Sequence, residues 1–377
     1  MKILNKYTYL FLGILIVSAI VILNFIPNLE TEEFDQEVID NIIEGVTTTT
    51  VVSSSDNNQN ENLESVDDID DQLVLTEAQI SDIDQILIHN EFEEEIDNFD
   101  VYLLIGSDER SEEIALTRGE ITGKRADVII LGLVQKNTKE ITLLSFPRDL
   151  LIKNSCTGNL ERINASYSKN NCGGRAENLA AAIYSISGIR VTNFASFDFE
   201  GFEEIIDSIE GIEICVDKTQ KEGFSFELQK GCQVVNGLTT LNWVVSRSTE
   251  VLVGEKVVDD KGNDISEWKP MPGVSDLTRI NRQQYVVMQL INELKDFESV
   301  NELNSFIRAL ENSFVIDENL SINKAVEILW TFRNINLNNV KKFTTPVDYI
   351  TLDDGRQVLV LNDTIYNFLK SNSVIDS

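Results

Sequence analysis

The chain has 377 residues, 42% of them hydrophobic and 25% charged, with a formal net charge of -32 and one histidine. That length allows one large domain or two ordinary ones. The charge excludes a nucleic-acid partner, because binding a phosphate backbone needs a basic face. The lone His89 leaves everything downstream without a Ser-His-Asp, Cys-His or HExxH arrangement.

Residues 7–27 read YTYLFLGILIVSAIVILNFIP, an uncharged run long enough to cross a bilayer. Lys2 and Lys6 precede it and acidic sequence follows, so residues 1–6 are expected in the cytoplasm and the rest outside. No small-x-small site follows the run, which favours an uncleaved signal anchor over a cleaved signal peptide. Residues 28–98 are expected to form an acidic, low-complexity stalk. From Glu30 to Asp100 there are 23 acidic residues and no Lys or Arg, and the Thr47–Thr50 and Ser53–Asn62 stretches cannot bury a core. Ile80, Ile83, Ile86 and Leu87 predict a short helix over 77–89, which carries His89 as a surface residue.

The extracytoplasmic domain is expected over 99–377. Strands are predicted at 101–105, 128–134 and 141–144, with Gly106-Ser107-Asp108 and residues 136–139 as turns. A helix follows at 176–186, a strand at 194–197, a helix at 201–209, a strand at 212–216 and a helix at 238–245. Residues 249–275, with Gly254, Gly262, Pro270 and Pro272, read as a long functional or mobile loop. Leu277 to Leu294 is a strong helix with Ile280, Val287, Ile291 and Leu294 as its core stripe. Helices at 301–310 and 322–333, strands at 342–345 and 357–361, and a helix at 364–370 complete the domain. Alternating strands and helices make it α/β. Cys156 and Cys172, and Cys215 and Cys232, are spaced to close two local disulfides of roughly 3 kcal/mol each, although three pairings are open. That usage fits an oxidising exterior.

The chemistry-bearing stretch is Ser145-Phe146-Pro147-Arg148-Asp149, at the end of the 141–144 strand. Asp108 and Asp127 flank adjacent strand ends and can share one Mg2+, or the related Mn2+; the alternative is two solvated turn aspartates. Arg125 and Arg148 suit phosphate, since the guanidinium fork binds two oxygens and stays charged when partly buried. Asp149 either orients Arg148 or caps a turn. Arg162 is a weaker candidate, with a surface salt bridge as the alternative. Asp276, Arg279 and Gln283 fall at i, i+3 and i+7 near a helix start that favours anions, with Arg282 to one side. The alternative there is a capping aspartate with a solvated polar face. No Walker A or GxGxxG sequence is present.

With these residues in view, the chain resembles the LytR-CpsA-Psr (LCP) family over residues 99–370. The resemblance is carried in order by LLIGSD (103–108), RAD (125–127), LLSFPRD (143–149), RINASY (162–167), FDFEGF (197–202), NGLTTLNWVVSR (236–247) and DLTRINRQQ (276–284). It implies a central mixed β-sheet flanked by helices behind one N-terminal membrane helix. It also implies an extracytoplasmic transferase that moves a glycopolymer from a polyprenyl-pyrophosphate carrier in the membrane to peptidoglycan. In that scheme Asp108 and Asp127 match metal-binding aspartates. Arg125, Arg148 and Arg247 match pyrophosphate-binding arginines, and Asp276, Arg279 and Gln283 match the helix start beside them. Arg125, Arg148 and Asp127 are the residues expected to act in catalysis. Phosphoryl transfer is mostly positioning and charge neutralisation, which such residues supply. Two alternatives stand beside it: a pyrophosphatase acting on the lipid-linked pyrophosphate, and a membrane-tethered protein that binds lipid-linked polymer without turnover. The chain departs from the family at Val245, where an arginine is expected two residues before Arg247. It also carries insertions between Asp108 and Arg125 and within 249–275.

Overall fold

The computed structural model describes residues 31–32, 34–47, 98–108, 125–138, 140–168, 175–273, 275–293, 314–317, 339–352 and 355–375. The expected membrane segment, the helices at 77–89, 301–310 and 322–333, and the insertion after Asp108 lie outside these residues. Among the described residues no helix is long and apolar enough to cross a membrane.

The N-terminal part contributes β1 (Thr31–Glu32), α1 (Gln36–Thr47), β2 (Phe99–Ser107), β3 (Ala126–Gln135), β4 (Ile141–Ser145), β5 (Leu151–Lys153), β6 (Leu160–Arg162), a 3-10 turn (Ile163–Ser168), α2 (Arg175–Ser187) and β7 (Asn193–Phe197). Next come α3 (Phe199–Ser208), β8 (Ile212–Val216), β9 (Gln220–Glu222), β10 (Phe226–Leu228), β11 (Gly231–Val235), α4 (Gly237–Val245), β12 (Glu250–Val253) and β13 (Glu267–Pro270). The last elements are α5 (Asp276–Glu293), β14 (Phe314–Asp317), β15 (Val340–Thr344), β16 (Val347–Thr351), β17 (Gln357–Leu361) and α6 (Ile365–Ser371).

The chain divides into two compact units. The first comprises Phe34–Phe199, Gly273–Gln284 and Asn338–Ser377. Within it, five strands pair in the order β7-β2-β3-β4-β15. The outer pairs β7–β2 and β4–β15 are parallel, and β2–β3–β4 is antiparallel, so the sheet is mixed. The apolar run of β4 is buried at every position, as expected for a strand covered on both faces. In β2, Val101, Leu103 and Ile105 are fully buried while Tyr102 and Leu104 are half-buried, the period-two signature of one core-facing side.

The segment expected as a stalk differs at its start. Asp35 Oδ1 accepts the amides of Glu37 at 2.8 Å and Val38 at 3.4 Å, which starts α1. Phe34 and Ile39 are buried, and the Phe34 ring lies 5.1 Å from that of Phe194. Gln36 Nε2 donates to Val191 O at 3.1 Å, and Asp40 pairs with Arg190. A few apolar side chains anchor this helix inside an acidic sequence, which composition alone obscures.

The second unit comprises, among the described residues, Thr31–Glu32, Glu200–Pro272, Tyr285–Glu293 and Phe314–Asp317. It contains an antiparallel sheet of order β10-β9-β12-β13, the β8–β11 ribbon and the parallel β1–β14 pair. The 249–275 stretch is therefore a hairpin rather than a loop. β12 and β13 pair from Glu250↔Pro270 to Val253↔Glu267, and a Val258–Asp264 bridge extends them. The tip closes on Asp259, whose carboxylate accepts the amides of Lys261 and Asn263. Its β13 arm and tip are mostly exposed and lack strand-like alternation, and the apolar β12 run Val251-Leu252-Val253 is short. Cys215 and Cys232 stand opposite each other in β8–β11 and are joined by a disulfide. Cys156 is also disulfide-bonded; Cys172, its expected partner, lies outside the described residues.

Candidate active site

The site residues of the first unit gather at one end of its mixed sheet. β2, β4, β7 and β15 point their C-terminal ends there, and β3 begins there. Ligands in open α/β sheets commonly bind at this end. The β2–β3 ladder runs in register to Gly106↔Val128, then shifts so that Ser107 faces Ala126. A bulge of this kind re-aims the side chains that follow it. Ser107 continues β2, so the predicted turn at 106–108 contracts to Asp108 alone.

Beyond the bulge the two chains stay tied. Asp108 N–H donates to Arg125 O at 3.1 Å, and Arg125 N–H donates to Asp108 Oδ1 at 2.8 Å. Burial pushes the Asp108 carboxyl above its ordinary range. The Arg125 amide opposes that shift, and the nearby Asp127 charge adds to it. The two carboxylates therefore sense each other across the strand ends.

Asp127 is bound more directly to the SFPRD stretch. After β4, Phe146 N–H still donates to Ile129 O at 2.9 Å, and the chain then turns through Arg148 and Asp149. That turn brings Arg148 Nη1 to 2.5 Å from Asp127 Oδ1, with both side chains mostly buried. Arg148 Nε also lies 3.7 Å from Asp149 Oδ2, so Asp149 faces Arg148.

α5 supplies the third wall. Ser275 caps it, with its carbonyl accepting Arg279 N–H at 3.2 Å and its hydroxyl accepting Thr278 N–H at 3.4 Å. Arg279, Arg282, Gln283 and Gln284 are all buried, so the polar face is not the solvated one of the simpler alternative. Gln283 Nε2 reaches Asp127 O at 3.5 Å. Gln284 Nε2 donates to Ser145 Oγ at 2.9 Å and Phe343 O at 2.8 Å, fastening the helix start to the ends of β4 and β15. Gln284 carries no periodicity signal, because an apolar-stripe search treats a buried glutamine as surface. Ile280 is buried as expected, but Val286 rather than Val287 is the deeper core residue.

Arg125, Asp108, Asp127, Arg148 and Gln283 thus belong to one unit and converge on one strand-end region, and Arg279 lies buried in the same unit one helix turn before Gln283. Asp276 begins α5 in that unit. Arg247 belongs to the second unit, is exposed, and follows the buried Ser246 at the end of α4. Val245 places no charge there. The arrangement combines paired carboxylates with several guanidiniums, which suits phosphate chemistry.

Fold and site together define an α/β protein with an arginine-aspartate strand-end centre. Residues 47–254 and 269–373 match the LytR_cpsA_psr family, and the chain belongs to that family. It is 26% identical over 298 residues to the cell wall biosynthesis protein LcpA of Corynebacterium glutamicum, covering 69% of this chain and 52% of LcpA. It is 25% identical over 242 residues to TagU of Bacillus licheniformis, a polyisoprenyl-teichoic acid–peptidoglycan teichoic acid transferase, covering 64% of this chain and 65% of TagU. The chain therefore spans less than two thirds of either relative. Its fold matches Bacillus subtilis TagV with a TM-score of 0.55 at 18% identity, covering 74% of this chain and 95% of TagV. It matches the LytR-Csp2A-Psr enzyme of Actinomyces oris with a TM-score of 0.53 at 19% identity, covering 72% of this chain and 89% of that one. Relatives within the family are thus named for cell wall biosynthesis and for transferase activity.

Proposed function

We propose that this protein transfers a glycopolymer from a polyprenyl-pyrophosphate carrier to a peptidoglycan hydroxyl. The observation that carries the reading is the Arg148–Asp127 ion pair beside the coupled Asp108 carboxyl, at the sheet end where α5 begins. TagU's name, which specifies a teichoic acid moved from polyisoprenyl to peptidoglycan, supports the substrate class. The 7–27 run then holds residues 1–6 in the cytoplasm and the catalytic units outside, beside the membrane-borne donor.

Asp108 and Asp127 fit a hard divalent cation such as Mg2+ or Mn2+. Both offer carboxylate oxygens, and the two charges are close enough to interact. When bound, the cation neutralises phosphate charge. Arg125 and Arg148 bind the pyrophosphate, and buried Arg279 and Arg282 add positive charge at the start of α5. Asp127 holds Arg148 in a fixed direction, which matters because donors preset toward developing charge need no reorganisation during reaction. The acceptor oxygen forms a new P–O bond, the bridging P–O bond breaks, and polyprenyl monophosphate departs as the hydroxyl proton passes to water.

The test uses the full-length protein in detergent with a lipid-pyrophosphate glycan, Mg2+ and peptidoglycan fragments. A phosphodiester-linked product is expected. Free phosphorylated glycan would instead identify a pyrophosphatase, and binding without product a tethering protein. Arg148→Ala and Asp127→Ala should each lower transfer on the order of a hundredfold. Wild-type rates in both would overturn the site assignment.

A further inference from the structure

We infer that Asp149 and Arg162 are positioning residues for Arg148, and that the β16–β17 hairpin is the frame against which they hold it. The inference rests on the transferase reading of the site. Four side chains form a line of alternating charge. Arg162 Nε lies 3.3 Å from Asp149 Oδ1, Asp149 Oδ2 lies 3.7 Å from Arg148 Nε, and Arg148 Nη1 lies 2.5 Å from Asp127 Oδ1. Side-chain exposure falls along the line, from 30% at Arg162 through 25% and 16% to 12% at Asp127. The outer pair is wet enough to contribute little to stability. Its effect is geometric: both Asp149 oxygens face guanidinium Nε atoms as ion pairs without a hydrogen bond, so Asp149 draws the Nε side of Arg148 while Asp127 binds the Nη1 side. A carboxylate held between two arginines is no ligand for a phosphate, and it acts through Arg148.

The far end of the line is anchored to backbone. Arg162 Nη2 donates to Gln357 O at 3.1 Å, and Leu359 N–H donates to Asp149 O at 3.1 Å. Ile163 N–H and Asn164 N–H donate to the carbonyls of Leu150 at 2.8 Å and Arg148 at 3.3 Å. Behind these bonds, Leu151, Leu352, Val358 and Val360 form one small buried core, with Leu160 and Ile350 packed on it. That core joins β5–β6 to β16–β17. The direction of Arg162 is set by its neighbour. Glu161 is buried on the opposite face of β6, accepting Asn154 Nδ2 at 2.6 Å and Ser166 Oγ at 3.4 Å. Successive strand residues point to opposite faces, so burying Glu161 turns Arg162 outward toward Asp149.

The experiment compares Asp149→Asn, Arg162→Gln and Arg162→Lys in the full-length protein in detergent. Transfer kcat should fall about tenfold or more in the first two, as small misplacements of a catalytic group do. KM for the lipid-linked polymer should stay within about twofold, the pattern of an interaction felt mainly in the transition state. Arg162→Lys should restore most of kcat. A second readout needs no turnover: phenylglyoxal labelling of arginines, measured peptide by peptide by mass spectrometry. Arg148 should label several-fold faster in Asp149→Asn and Arg162→Gln and return toward wild type in Arg162→Lys. Arg190, paired with Asp40, should not change. Unchanged Arg148 labelling and kcat would overturn the inference even if Arg148→Ala abolishes transfer. A wild type that transfers nothing would defeat the transferase reading, and labelling alone would then decide the positioning role. Faster labelling of Arg190 together with Arg148 would mean general loosening and would reject it.

Discussion

Gly106 and Gly132 both lie on the β2–β3 pair, and alanine should move stability in opposite directions at the two sites. At Gly106 an added Cβ would sit 2.9 Å from Val128 Cβ and Cγ2 and 3.2 Å from Phe197 Cε2. Carbon contacts are comfortable only near 3.5 Å, so β2 and β3 must part by roughly 0.5 Å at the bulge. Overpacking of this kind costs about 1–3 kcal/mol, a fall in Tm of roughly 1–4 °C for a chain of this size. At Gly132 the Cβ would lie 3.8 Å from Tyr102 O and 3.9 Å from Tyr102 Cβ, an ordinary contact. Alanine there loses less chain entropy on folding and should stabilise by about 0.4–1 kcal/mol. Asp108 and Asp127 sit just beyond Gly106 and Val128. Gly106→Ala should therefore also lower transfer without altering any charge, whereas Gly132→Ala should not. Calorimetry of the full-length variants in one detergent, alongside the transfer assay, reads both effects. A Gly106→Ala protein that melts at or above wild type, or two variants that shift in the same direction, would refute the reasoning.

Asp108→Asn should be at least as stable as wild type at neutral pH without metal. Its folded carboxyl is raised, by burial first and by Asp127 second, so its contribution is greatest below the ordinary carboxylate value of about 3.9 and declines as pH rises toward the folded value. Asparagine keeps the acceptor for the Arg125 amide and removes that decline, so melting curves against pH should flatten over the window. Added Mg2+ should raise the Tm of wild type and leave Asp108→Asn unmoved; a less stable metal-free variant would contradict this account. Gln284→Leu should cost about 1–3 kcal/mol in chemical denaturation, because Ser145 Oγ and Phe343 O lose a shared buried donor. A neutral result would show that water replaces the amide.

The parts of the fold that sequence makes legible are those that obey one period. β2, β3 and β4 are apolar runs bounded by turns, and α5 keeps its expected start and buries Ile280, so their places follow from local pattern. Asp108, Asp127 and Arg148 become candidates because they flank those strands. What escapes is whatever depends on a distant partner. The Arg162–Gln357 bond spans 195 positions, and no local window distinguishes Arg162 from a solvated arginine. The β-bulge that aims Asp108 depends on the shift from Gly106↔Val128 to Ser107↔Ala126, which exists only once the strands pair. The first half of α5 buries arginines and glutamines where amphipathic logic expects a wet face. The 249–275 hairpin pairs the short apolar run Val251-Leu252-Val253 with an exposed β13 across a polar, glycine-bearing tip, and that tip makes it read as a loop. α1 hides two buried anchors, Phe34 and Ile39, among acids.

Net charge and site charge pull in opposite directions, and screening settles which prevails. A chain at -32 repels an anionic pyrophosphate at long range. At physiological salt that field decays over about 8 Å, whereas partly buried pairs are screened far less. The first unit places Arg125 and Arg148 beside Asp108 and Asp127, and buries Arg279 and Arg282 on the helix turn that reaches Asp127 through Gln283. Local cation would therefore outweigh local anion if a divalent metal neutralised the two strand-end carboxylates, as proposed. Val245, uncharged at the end of α4, adds nothing to that balance from the second unit. The direction in which Arg148 points then becomes the quantity most worth fixing, and a line of three partners anchored on β17 fixes it.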